Sequence, residues 1–449
     1  MALPEPDGGQ SDAKQPKGGL PRRELDALRW KNTLASVCMF GAISGIFGMS
    51  PLAHLMNQHT PAHLKWLAPG VTVPAVTHFL AQVVVLPLTG GMSKKLKPLQ
   101  IWLLVAVGMA SPLSIGLSSL EGMFWLQYVG AALASVGVAC SLEYTQVVVL
   151  QWWAIDGRQN LGLAFQGALM ASLMVVISLL LGISGSSWGL AGAAYSEVCF
   201  LAVMNLYPLL LACRGELGPP AADLTTTHGI QRASESLPAG SPASRATLGT
   251  LIRSAGFWHI AMHQFLVPFS GFGIKLLLTS IFEAAYGTSF LHSAYLASLS
   301  MVLFVLTRML FPLISRAVPI FLVLGIMLLL NSVLYAAFPL IIAHLPVWWL
   351  LAAKSMAGAI FAGMLCLNPL VLLQLYGPAD LPAVFAAAGP ARGLGFALGP
   401  AAAYYLSLAS QDDGTELQSS YDPFFYICAA LSLVAAMNMA CLRRVSMHR

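Results

Sequence analysis

Charged residues are scarce in this 449-residue chain, because Asp, Glu, Lys and Arg make up only 9% of it. Soluble globular domains carry about 25%. Hydrophobic residues make up 57% of the chain, and the mean hydropathy is +0.74. This composition excludes an ordinary soluble protein and predicts an all-α membrane protein whose main partner is the lipid bilayer. The formal net charge of +5 does not indicate nucleic-acid binding, because the basic residues follow the predicted membrane topology.

Cysteines and catalytic motifs are also few. The seven cysteines lie within or beside apolar segments and form neither a CxxC motif nor a Cys/His cluster, so we expect neither a disulfide framework nor a metal site. The sequence contains no P-loop, GxSxG or HExxH motif, which argues against an enzyme and against a bound cofactor. The first thirty residues lack an apolar core and do not form a secretory signal peptide.

Long apolar stretches dominate what is present. Twelve windows are long enough to span a bilayer, at about 33–53, 70–90, 99–118, 122–149, 160–183, 187–212, 254–277, 288–314, 319–339, 346–375, 381–406 and 423–442. A polar stretch rich in Ser, Pro, Gly and Thr separates the first six from the last six and is typical of a linker. We therefore predict an N-terminal tail, two six-helix bundles joined by a linker, and a C-terminal tail, at 1–32, 33–213, 214–253, 254–442 and 443–449.

The basic residues support an even number of spans with both termini in the cytosol. With that orientation, 18 of the 23 Lys and Arg residues fall in cytosolic segments, and only Lys65 falls in an outer one. Such an excess of basic residues on the inner side is the usual rule for membrane proteins. The tails, the linker and the loops that carry these residues are therefore predicted to be cytosolic.

A weak internal repeat relates the two halves. The segment Gly90–Pro98 corresponds to Pro312–Pro319, and Asn160–Phe165 corresponds to Asp380–Phe385, at offsets of 222 and 220 residues. Two offsets that nearly agree indicate duplication of a six-helix unit. Parallel six-helix repeats are the architecture of major facilitator transporters, whose substrate binds at the interface of the halves near the bilayer midplane.

Four basic residues lie inside predicted spans. Arg392 lies about eleven residues, or roughly 16 Å, into the eleventh span, and Arg308 lies deep in the eighth. Buried charges are costly and usually mark a substrate pathway, and the planar guanidinium suits a carboxylate. The alternatives are a structural arginine bonded to backbone carbonyls for Arg392, and a gate or snorkelling residue for Arg308. Lys275 and Lys354 lie toward the outer ends of their spans, where they either snorkel to the interface or line an outer vestibule.

Other polar residues in the spans are candidates for lining the cavity or controlling it. Glu143, in the fourth span, either couples protons or pairs with Arg158 to brace the cytosolic gate. A single polar residue in a span more often hydrogen-bonds to a neighbouring helix than contacts a ligand. The remaining candidate substrate-binding residues are His78, Gln82, Tyr128 and Gln166.

Three segments carry a resemblance to a known family. Gly90–Pro98 resembles the loop signature of the major facilitator superfamily, although Lys94 stands where the signature has an acidic residue. Val136–Ala168 resembles the region between spans 4 and 5 of the oxalate/formate antiporter and monocarboxylate porter group. Leu375–Pro400 resembles the region between spans 10 and 11 of that group, including its basic-Gly pair and closing Leu-Gly-Pro. Lys94 and Lys95 are accordingly candidates for gating or coupling.

The resemblance implies a function. In that group, a basic residue in span 11 and an arginine in span 8 are associated with the substrate carboxylate, and Arg392 and Arg308 match these positions. It implies a monomeric secondary transporter of the plasma membrane or an organelle membrane that moves a small carboxylate of the oxalate, formate, lactate or pyruvate class. Alternating access would be coupled to a counter-anion or a proton. The alternatives are a transporter of another solute, such as an amino acid or a sugar, and a non-transporting membrane sensor.

Overall fold

A computed structural model describes residues 22–43, 50–61, 72–81, 83, 98–155, 157–218, 220, 248–412 and 420–447 of the chain. Within these ranges the regular secondary structure is helical, and no strand occurs. The prediction of an all-α protein is confirmed for them.

Among the described residues, six helices precede the linker. They are α1 (Arg22–Ile43), α2 (Ser50–Gln58), α3 (Thr72–Leu80), α4 (Pro98–Leu117), α5 (Leu126–Ala154) and α6 (Gln159–Cys213). The first helix therefore begins at Arg22, well before the predicted start of the first span at residue 33.

In the part described after the linker, the helices number eight. They are α7 (Leu248–Ile252), α8 (Ala255–Leu276), α9 (Leu278–Tyr286), α10 (Phe290–Leu299), α11 (Val302–Ile314), α12 (Ile320–His344), α13 (Val347–Asp412) and α14 (Asp422–Met447). We call the helices before and after the linker the first and second halves of the molecule.

Local chemistry explains several helix ends. The Ser254 side chain accepts a hydrogen bond from the Phe257 backbone N–H at 3.2 Å and caps α8, as small hydroxyl residues do at helix starts. Pro98 occupies the first position of α4, where its missing N–H costs nothing. Gly287, with φ of 60°, ends α9 in the left-handed conformation, which glycine adopts without a steric penalty.

Two of the helices are too long for one crossing of a bilayer. α6 has 55 residues and α13 has 66, whereas about 20 residues suffice to cross the hydrocarbon core. Each is broken by a glycine with non-helical backbone angles, Gly189 in α6 (φ 64°, ψ −155°) and Gly377 in α13 (φ 76°, ψ 172°). The break at Gly377 falls between the two predicted spans of α13, whereas the break at Gly189 falls just inside the second predicted span of α6, which was placed at 187–212.

The chain is a multi-pass membrane protein. Within the part that the structure describes, five helices are long and apolar enough to cross a membrane, or six if the pair α8–α9, bent by 55°, counts as one span. Twelve spans and cytosolic termini remain predictions.

The two halves pack against each other along α6. The first part of α6 contacts α11 and α10, while α3 contacts α13. Near one end of this interface the Asn160 side chain donates to the Pro312 carbonyl at 2.7 Å. Near the other end, a β-carbon at Gly185 would meet the ring of Phe290 at 3.3 Å. The two points are roughly 37 Å apart along α6, so the contact runs through much of the bilayer thickness.

Candidate functional site

Arg308 lies at the boundary between the halves. It is 6% exposed on α11, and its stem packs on Gly167 of α6, where an added β-carbon would meet the Arg308 Cβ at 3.1 Å. Its Nε has no hydrogen-bond partner within the described residues. No carboxylate described in the structure makes an ion pair with it. A buried guanidinium with donor capacity left over is available to an anion.

Lys275 and Lys354 line one small cavity in the second half. They are 7% and 3% exposed, and the cavity also includes Ser300, Phe304 and three apolar residues. The Lys275 Nζ lies 5.8 Å from the centroid of the Phe304 ring, in the range of a cation–π interaction. No ion pair between either lysine and a described carboxylate occurs.

These lysines extend the positive region that contains Arg308. Phe304 precedes Arg308 by about one turn of α11, and Lys275 is near enough to interact electrostatically with both Arg308 and Lys354. The lysines do not snorkel to a surface, because both side chains are enclosed by other helices. The cavity is small, and an outer vestibule at these residues remains a prediction.

Arg392 lies in the second part of α13. It is 3% exposed, and its Cζ lies 4.2 Å from the centroid of the Phe385 ring, two turns earlier on the same helix. Nearby, Gly395 and Gly399 let α13 approach α8, since a β-carbon at either position would meet the carbonyl oxygen of Phe265 or Phe269. The arginine is therefore held beside one of the tightest helix contacts of the second half.

Two predicted cavity-lining residues of the first half have described side chains. The Gln166 Nε2 donates to the Ser36 hydroxyl at 3.2 Å and precedes Gly167, on which Arg308 packs. The Tyr128 ring packs on Phe124 at a centroid distance of 5.6 Å. The Tyr128 hydroxyl is buried without a hydrogen-bond partner in the described part of the chain. Of the two residues, Gln166 is the one placed beside Arg308, because its neighbour Gly167 contacts the Arg308 side chain.

Several other candidates lie outside what the structure describes. Gln82, Lys94 and Lys95 fall outside the described residues. His78 belongs to α3 and Glu143 to α5, but their side chains are not among those described.

Arg158 is the only member of the predicted cytosolic brace whose side chain is described. It forms the N-cap of α6 and is half-buried, and its backbone N–H donates to the Trp153 carbonyl at 2.9 Å. Its pairing with Glu143 remains a prediction.

The structure adds a buried acid, Glu197, and a buried polar pair in which His263, a possible cavity-lining residue by sequence, meets Asn368. Glu197 of α6 is 2% exposed, and its Oε2 has no hydrogen-bond partner within the described residues. The His263 Nε2 and the Asn368 Oδ1 form a hydrogen bond of 2.9 Å between α8 and α13. Glu197 is the single acidic residue in its apolar window, which marks it in the sequence as a buried charge but does not indicate what it contacts. The His263–Asn368 pair, by contrast, is separated by 105 residues in sequence.

A polar network also anchors the start of the linker, where a flexible segment was expected. The Lys31 ammonium donates to Glu216 at 2.6 Å, and the Gly218 N–H donates to the Asn32 side chain at 3.0 Å. The Trp152 indole donates to the Gly218 carbonyl at 2.7 Å. The Lys31 hydrogen bond holds the pKa of Glu216 below its ordinary value. Residues 214–218 are thus attached to α1 and α5.

One contact between a histidine and a carboxylate joins the halves near Gly185. The His54 Nε2 of α2 lies 2.8 Å from the Glu283 carboxylate of α9, and its Nδ1 lies 2.8 Å from the Ser280 hydroxyl. The imidazole also stacks on Phe290, with a centroid distance of 5.7 Å. His54 is buried, so this contact closes the interface at that end.

Comparison with known proteins identifies the fold. No protein-family model matches the chain, and no curated protein matches its sequence. Among solved structures, a double tryptophan mutant of XylE is similar, with a TM-score of 0.64 and 14% identity, over 94% of this chain and 96% of that one. An auto-inhibited POT family peptide transporter is also similar, with a TM-score of 0.62 and 13% identity, over 93% and 97%.

These similarities extend over nearly the whole of each chain. Both structures are of the major facilitator type, so this chain has that fold. Identities of 14% and 13% show the fold alone. The comparisons give no support to the oxalate/formate and monocarboxylate group suggested by the sequence segments.

Proposed function

We propose that the chain is a secondary transporter that moves a small carboxylate anion across the membrane by alternating access. The observation that carries the choice of an anion is the positive interior of the second half. Lys275, Arg308 and Lys354 are all buried there, and none makes an ion pair with a described carboxylate. Buried cations without such compensation are costly, and an anionic cargo bound at Arg308 offsets that cost at the boundary between the halves.

Arg308 and Arg392 are the residues proposed to bind the carboxylate. A guanidinium donates two parallel hydrogen bonds to a carboxylate, which gives orientation as well as affinity. Arg308 packs against Gly167 of the other half, so its surroundings change when the halves rock. That position suits a residue that must hold the solute from either side.

The second candidate is a transporter of an uncharged or zwitterionic solute. It is favoured by the two structural neighbours, a sugar transporter and a peptide transporter. Under this alternative the buried cations are structural, and neutralising Arg392 leaves transport largely intact.

Exchange of anions is proposed over net proton symport. A site that holds unpaired positive charges resists crossing a low-dielectric barrier when it is empty, because nothing offsets the desolvation of the charges. A second anion on the return step removes that barrier.

The test is uptake of labelled oxalate, formate, lactate and pyruvate into proteoliposomes, with and without internal anion. For the natural chain we expect saturable uptake that requires an internal anion. Arg392→Gln and Arg308→Gln are expected to lower uptake by about 10- to 100-fold, the loss of one charge-assisted hydrogen-bonded contact.

Arg316→Gln is the matched control, because Arg316 is exposed just beyond α11. It is expected to transport like the natural chain. If folded protein moves none of these anions but accumulates a sugar or a dipeptide, the second candidate is correct.

A further inference from the structure

We infer that the cavity between Lys275 and Lys354 is a binding site for a halide ion, chloride in a cell, separate from the proposed carboxylate site. Two buried ammonium groups on different helices, α8 and α13, line the same small space. Arg392 and Arg308 do not line it.

The size of the cavity selects the ligand class. Its volume is about 10 Å³, close to the minimum that holds a single water molecule. A carboxylate has three heavy atoms around its charge and does not fit this space. A monatomic anion is larger than a water molecule but is a single sphere, so a small outward movement of the two flexible lysine side chains makes room for it.

The walls make the site favourable for an anion. Each lysine ammonium has three N–H donors and no acceptor. Ser300 contributes acceptor lone pairs but not its proton, which is donated to the Ala297 carbonyl at 2.7 Å. Phe304 and Met301 supply apolar surface. In such a dry environment the attraction between an ammonium and an anion is much stronger than in water.

Two ammonium groups beside one buried cavity favour the binding of a counterion. No described carboxylate pairs with either lysine. Glu283, the carboxylate on the adjoining helix α9, is engaged by His54 at 2.8 Å. Lys275 also faces the positive charge of Arg308. A halide between the lysines offsets this repulsion without occupying the place of the cargo.

The test uses the full chain purified in detergent, with thermal unfolding measured at equal ionic strength in chloride, bromide and gluconate. We expect chloride and bromide to raise the unfolding temperature saturably, relative to gluconate. In Lys275→Gln and Lys354→Gln the half-saturating chloride concentration should rise at least about tenfold. Lys31→Gln, which alters an exposed lysine far from the cavity, should keep the natural response.

The same variants separate a halide site from a purely structural role. In gluconate they should be at least as stable as the natural chain, because each removes a buried ammonium that lacks a counterion. Should a variant fail to fold, chloride NMR of the natural chain decides: the protein should broaden the chloride resonance, and bromide should reverse the broadening. An absence of halide stabilisation and of broadening overturns the inference, as does equal stabilisation by formate. No transport is measured, so failure of the carboxylate proposal leaves this result unaffected.

Discussion

At the scale of single residues, the charged groups of the molecule fall into two kinds. Lys31 and Glu216 form a partly exposed pair at the start of the linker, with side chains 40% and 29% exposed. Lys275, Arg308 and Lys354 are buried and make no ion pair with a described carboxylate. The first kind is expected to stabilise the structure modestly, and the second kind to cost stability in return for binding.

The Lys31–Glu216 pair has a pH dependence with a definite sign. The hydrogen bond from Lys31 lowers the pKa of Glu216 below its ordinary value of 4.5. The pair therefore contributes stability above pH 4.5, and the contribution disappears as the pH falls through the lower pKa of the folded state. We expect Glu216→Gln to reduce thermal stability at pH 7 and to lack this acid-dependent loss.

Thermal unfolding between pH 7 and pH 3 measures this effect. Lys31→Gln is the companion variant and should show the same flattened pH profile, since it removes the other partner. Parallel profiles for the natural chain and both variants would show that the pair contributes nothing.

At the scale of helices, close packing of α13 on α8 positions Arg392. Gly399 stands where a β-carbon would meet the Phe269 carbonyl oxygen. We expect Gly399→Ala to lower the free energy of unfolding by about 1–3 kcal/mol through overpacking. Gly325→Ala is the matched control, because Gly325 lies in α12 with no neighbour within 4 Å of an added β-carbon.

Denaturation of the two variants in detergent compares them directly. Alanine is the better helix former, by about 1 kcal/mol, so Gly325→Ala should be neutral or stabilising. Equal effects at the two glycines would mean that the close approach at Gly399 relaxes without cost.

Much of the helical architecture could be predicted from the sequence, because long apolar windows leave a chain few alternatives in a membrane. For the same reason the break at Gly377 falls between predicted spans, and the break at Gly189 falls just inside the start of one. The bend that separates α8 from α9 has no such signal, because Leu277 continues an apolar run. Arg29 was assigned to a cytosolic tail, yet it is 1% exposed and lies over the Trp153 ring at 5.0 Å.

The candidate site was predictable only in part. Buried charge in an apolar window marks Arg308, Arg392, Lys275 and Lys354 individually. Lys275 and Lys354 share one cavity because α8 packs against α13. The two lysines are far apart in sequence, so no local sequence pattern predicts this contact. Glu197 was missed for another reason, because a single acid in a span gives no indication of its partners.

At the scale of the whole molecule, the halves also meet between the two ends of their interface along the first part of α6. The Ser298 hydroxyl of α10 donates to the Ser178 hydroxyl of α6 at 2.7 Å, and both residues are buried. The two side chains are in direct contact, so cysteines at these positions are candidates for a disulfide. A covalent link here would oppose any rocking of one half against the other.

We therefore predict that Ser178→Cys combined with Ser298→Cys forms a disulfide under mild oxidation. Solute exchange in proteoliposomes should fall by at least about tenfold, as expected when a step of alternating access is blocked, and a reducing agent should restore it. Each single substitution controls for the native thiols, among them Cys366 beside Gly167. A linked protein that still exchanges solute at the natural rate would place the moving boundary elsewhere.

The contacts at the two ends of the interface also bear on kinetics. His54 meets Glu283 near one end, and Asn160 meets Pro312 near the other. Polar contacts therefore hold the halves together at both ends of their interface. Separating the halves at either end requires breaking one of these contacts. The maximal rate of transport would then be set by the rate at which these contacts break, and not by the rate of solute binding. Raising the solute concentration would not increase that maximal rate.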